Sequence, residues 1–85
     1  MIEIALAGRV VSVPRDVVHA IATAAATRAG VSGRHRDLSL HLNRALESGR
    51  ATLGRGEIRA LAAVLEEAHP HRFGPGAAEL RQALA

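Results

Sequence analysis

Apolar and polar positions alternate at the start of the chain: Ile2, Ile4 and Leu6 are interleaved with Glu3 and Ala5. A period of two is the signature of a strand with one buried face. Ala7-Gly8 then supplies a turn, because glycine tolerates the positive φ that tight turns need. Arg9-Val10-Val11-Ser12-Val13 returns with β-branched residues. A two-residue loop at Ala7-Gly8 sets Ile4 opposite Val11, Ile2 opposite Val13 and Glu3 opposite Ser12. A type I turn with a glycine bulge shifts that register. Residues 2–13 therefore read as a β-hairpin with one apolar and one mixed face. An isolated two-stranded ribbon is marginal in water. It must pack on helices or pair with another chain through an open edge.

After Pro14 the period changes. Proline is favoured at the first helical position, where its missing N–H is not needed, and Asp16 suits the positive end of the helix dipole. Val17, Ile21, Ala24 and Ala25 recur at helical spacing and predict a first helix from about Pro14 to Ala29, with Gly30 as its stop. Val31 to Arg36 reads as a basic, glycine-containing linker. Leu38-Ser39-Leu40-His41-Leu42 alternates like a strand, but Leu38, Leu42, Ala45 and Leu46 also follow a helical period. Asn43 to Glu47 continues that period and Gly49 ends it, which favours a second helix over roughly 36–48. Arg50 to Gly54 reads as a short connection. A third helix starts near Arg55, carries Glu57 in its first turn and a core stripe of Ile58, Leu61, Ala62 and Leu65, and stops at Pro70. His71 to Gly76 is turn-rich, and Ala77, Leu80 and Leu84 suggest a short terminal helix over 76–85.

A chain of 85 residues is a single small domain, 1–85. It buries roughly 60–65% of the surface its unfolded form exposes. Alanine dominates the apolar fraction, with 18 residues, so each helix contributes little buried area per position. The expected fold is α+β: an N-terminal two-stranded antiparallel β-hairpin (2–13), a three-helix bundle (14–69) and a short C-terminal helix.

The chain lacks cysteine, tryptophan and tyrosine, and Phe73 is its one aromatic residue. That removes disulfides, thiolate metal sites, base-stacking platforms and aromatic cages. No serine lies in a Gly-x-Ser-x-Gly elbow, and no histidine pair has the i, i+4 spacing of a helical zinc motif. His69 and His71 are two apart, and His35 and His41 six apart. Glu66 and Glu67 are adjacent, so they diverge by about 100° on a helix and share no site. Gly54-Arg55-Gly56 lacks the spacing of a phosphate-binding loop. These patterns predict no catalytic, cofactor or metal site, no small-molecule substrate and no enzymatic activity.

All 11 basic residues are arginine, and the net charge is +3. Residues 28–55 hold six arginines against Asp37 and Glu47, a net of +4, while the remainder carries five arginines and six acids, a net of −1. Arginine on loops and helix ends suits phosphate contact. A DNA-binding reading would employ Arg34, Arg36, Arg44, Arg50, Arg55 and Arg59, with the second and third helices as an Arg-rich helical hairpin. The five or six residues joining these helices exceed the three or four of a usual helix-turn-helix. Gly8 to Asp16 resembles the strand-to-proline segment of AbrB-type swapped-hairpin regulators over nine residues. One residue is inserted before the proline, and helix follows where that family continues in strands, so the resemblance is not extended to the rest of the chain.

No run is long and apolar enough for a membrane span, and Met1-Ile2-Glu3 lacks the basic region of a signal peptide. The sequence predicts a soluble cytoplasmic protein. Its expected role is a small non-enzymatic protein-interaction or oligomerisation module, with a protein partner or a second copy of itself. A DNA-binding transcriptional regulator is the alternative.

Overall fold

The computed structural model describes residues 1–27, 33–67, 73 and 77–84. In chain order the elements are β1 (Ile2–Leu6), β2 (Arg9–Val13), α1 (Arg15–Thr27), α2 (Gly33–Ser48), β3 (Arg50–Leu53), α3 (Arg55–Glu67) and α4 (Ala77–Leu84). The architecture is α+β, with four helices and a mixed three-stranded sheet of order β2-β1-β3.

The hairpin has the register expected of a two-residue loop: Ile2 pairs with Val13, Glu3 with Ser12 and Ile4 with Val11. Both loop residues have positive φ, 25° at Ala7 and 93° at Gly8. That is the geometry of a primed turn, whose twist matches the flanking strands.

The sequence reading missed β3. Arg50–Leu53 is not a loop but a strand parallel to β1, pairing Glu3 with Arg50, Ile4 with Ala51, Ala5 with Thr52 and Leu6 with Leu53. The hairpin is therefore two-thirds of a larger sheet, and β1 is its centre. Gly49 makes this possible. Its φ of 86° ends α2 in the left-handed region, and its N–H donates to the Ala45 carbonyl at 2.7 Å, an αL helix stop. Its own carbonyl then accepts the Glu3 N–H at 3.0 Å, which starts the β1–β3 pairing.

Helices α1, α2 and α3 contact one another, as a bundle would, but they also form a layer on one face of the sheet. Ile2, Ile4, Leu6, Val13 and Leu53 meet Val17, Ile21, Leu38, Leu42, Leu61 and Leu65 in a single core. Ala77 and Leu80 of α4 join it beside β2 and α3. Residues 37–42 are helical, which resolves the strand-like alternation there. Ser39, the buried polar residue among them, is tied to Asn43, whose Nδ2 donates to the Ser39 carbonyl at 2.9 Å.

The helix starts differ slightly from expectation. Pro14 is the cap of α1 and not its first residue: its carbonyl accepts the N–H groups of Val17 and Val18, each at 3.1 Å. α2 begins at Gly33 and absorbs part of the expected basic linker. The expected stops at Gly30 and Pro70, the His69/His71 pair and most of the 71–76 linker lie outside the described residues.

Candidate functional site

Among the described residues two surfaces outside the core gather exposed polar groups beside a groove or notch. The first is the outer face of the sheet. Because side chains alternate across a strand, the residues between the buried ones point away from the helices. They are Glu3 and Ala5 on β1, Val10 and Ser12 on β2, and Arg50 and Thr52 on β3. Five of the six are exposed and Ala5 is partly so. Val10 is 65% exposed, and Met1 beside this face is 75% exposed. A groove of about 520 Å³ follows β2, lined by Met1, Arg9 to Ser12, and Glu79, Gln82 and Ala83 of α4.

The second surface is a small polar notch of about 110 Å³ between α2 and α3, lined by Asp37, Leu40, His41, Arg44 and Glu57. Gly54 precedes α3 and its carbonyl accepts the Ile58 N–H at 2.9 Å. Glu57 reaches back so that its Oε1 accepts the Gly54 N–H at 3.3 Å, one half of a capping box. Its Oε2 meets Nδ1 of His41. The imidazole is 43% exposed and the carboxylate 15%. A carboxylate holding an imidazole is the arrangement that orients a general base, but no hydroxyl or thiol nucleophile lines the notch. Its visible work is structural: it caps α3 and ties that helix to α2. This pair was not legible in the sequence, because its members are 16 positions apart on different helices.

Among the described residues no three His, Cys, Asp or Glu side chains are placed to share a metal ion. Among the described residues the two ring nitrogens of His35 on α2 are inaccessible and meet no hydrogen-bond partner.

The six arginines named from the sequence are distributed over several surfaces. Arg50 lies on the outer sheet face beside Glu3. Arg34 lies across Gly56 at the start of α3, where an added Cβ would meet its Cγ at 3.5 Å. Arg36 is also on α2, but two positions on a helix are about 200° apart, so it faces away from Arg34. Arg44 is exposed at the rim of the notch. Arg55 and Arg59 share the solvent stripe of α3, about 40° apart around its axis and opposite its buried Ala60, Leu61, Val64 and Leu65. The segment joining α2 to α3 is a strand of the sheet, so these helices do not form a helix-turn-helix.

No protein-family model matches this chain, and no curated protein or solved structure does so significantly. No helix among the described residues is long and apolar enough to cross a membrane.

Proposed function

We propose that this chain is a small, non-enzymatic interaction module that associates with polypeptides, itself included, through the uncovered side and free edges of its sheet, as a component of a larger assembly. The supporting observation is the one-sided covering of the sheet. Each strand buries inner residues under helices, all three in β1 but only Val13 fully in β2 and Leu53 in β3, while Glu3, Val10, Ser12, Arg50 and Thr52 remain exposed on the other side. Sheets with one wet face are ordinary, and in this mixed sheet the outer strands β2 and β3 pair on one side with β1 and, among the described residues, with no strand on the other. Edge strands are templates for further pairing unless something blocks them. The reading also assigns the module to the cytoplasm, in keeping with a chain that contains no cysteine.

The test is sedimentation velocity over a wide range of protein concentration. The proposal expects the average mass to rise with concentration above the monomer value of 8.9 kDa. A mass that stays at the monomer value throughout contradicts it.

A further inference from the structure

The backbone of β2 indicates how the chain associates and with what. In an antiparallel pair, residues alternate between those that exchange N–H···O bonds and those whose N–H and C=O point away from the partner strand. A two-residue loop makes Leu6 and Arg9 an exchanging pair, and the register then alternates along the ladder. Ala5 and Val10, and Glu3 and Ser12, are therefore the outward pairs. The Glu3 N–H verifies the phase, because it donates to Gly49 on the opposite side of β1. Ser12 and Val10 must then direct their N–H and C=O groups to the free edge of β2. Among the described residues no backbone group from another element bonds to them.

We infer that β2 pairs antiparallel with β2 of a second copy, about a two-fold axis through Val11. This rests on the interaction-module reading above and specifies its partner. Val10 and Ser12 flank Val11 symmetrically, so the edge is its own complement. Val10 of one copy exchanges two bonds with Ser12 of the second copy, and Ser12 exchanges two with Val10 of the second copy. The two sheets become one six-stranded sheet in an isologous dimer. Charge favours the same choice. The outward residues of β2 are uncharged, and the pairing sets Arg9 against Val13 of the second copy, keeping the two Arg9 side chains at opposite ends of the interface. The side chains lining the groove beside the edge include one cation and one anion, Arg9 and Glu79, so Arg9 of each copy has a carboxylate beside it. The β3 edge differs. It is one residue shorter, and in a parallel ladder whose Glu3 N–H bonds to Gly49, it is Arg50 and Thr52 that face outward; one of these two, Arg50, is charged, and its N–H and C=O already engage the Ser48 hydroxyl. A charged side chain at an edge is a common guard against pairing.

Val10→Pro tests this directly. It removes an outward N–H and no ladder bond within the monomer, and proline is tolerated on such an edge. Thr52→Pro makes the equivalent change on the other edge. Sedimentation velocity should show the dimer dissociation constant raised by roughly tenfold or more in Val10→Pro and unchanged in Thr52→Pro, with circular dichroism confirming that both fold. Val10→Lys, which leaves the backbone intact and adds a charge to the edge, should weaken the dimer in the same direction. If wild type associates and all three variants associate equally, or if Thr52→Pro alone disrupts it, the β2 interface is wrong while the module reading stands. A wild type that never associates removes both.

Discussion

Ile4 and Ala5 are neighbours in the central strand, yet one is fully buried and the other half-open on the far side of the sheet. The same contrast runs through all three strands. The inner face carries Ile2, Ile4, Leu6, Val13 and Leu53 under a helical roof. Each such side chain contributes about 1.5–3 kcal/mol by leaving water. The outer face carries Val10 and otherwise small or polar side chains, and these bury little. Stability therefore resides on one face, and the other is free to vary or to bind. A small alanine-rich domain can afford only one such core, which is why its second face is left open.

The largest effect should come from breaking the inner face. Ile4→Ala removes a fully buried side chain from the central strand and should lower stability by about 2–5 kcal/mol in urea denaturation. Ala5→Thr, one position along but on the outer face, should change it by less than about 0.5 kcal/mol. Equal losses at the two positions would mean that the outer face is covered after all.

Gly49→Ala should cost about 1–2 kcal/mol. Space is not the cause, since nothing lies within 4 Å of an added Cβ; the φ of 86° is. This loss would show how far the β1–β3 pairing depends on the αL stop of α2. A gain in stability should follow from Ala7→Asn, because asparagine tolerates the positive φ of a primed turn better than alanine. The expected gain is about 0.5–1 kcal/mol in thermal or urea unfolding. No gain would argue against the turn geometry, and with it the register that sets Val10 and Ser12 outward.

The hairpin was legible because its signals are local: alternation, a glycine turn and β-branched residues on the return. α1, α2 and α3 were legible from periodicity, and Asn43–Glu47 correctly outweighed the strand-like alternation of residues 38–42. β3 was not, for two physical reasons. It is four residues long with Leu53 as its one buried side chain, and a parallel strand pairs with a distant segment that no local pattern reveals. Its position between two glycines, Gly49 and Gly54, resembles a loop until the φ of Gly49 is known. The site was legible in the same uneven way. The mixed face of the hairpin could be read from Glu3 opposite Ser12. Its extension by Arg50 and Thr52 required β3. The arginine cluster is real in sequence, but helical geometry separates Arg34 from Arg36, and the sheet takes Arg50 to the opposite side of the molecule from the solvent stripes of α2 and α3.

The most direct test of the difference between the two edges of the sheet is amide hydrogen exchange at single-residue resolution, measured at several protein concentrations. The account predicts that protection at Val10 and Ser12 rises with concentration, while Thr52 remains unprotected and Ile4 is protected at every concentration. Protection at Val10 and Ser12 that does not change with concentration would contradict it.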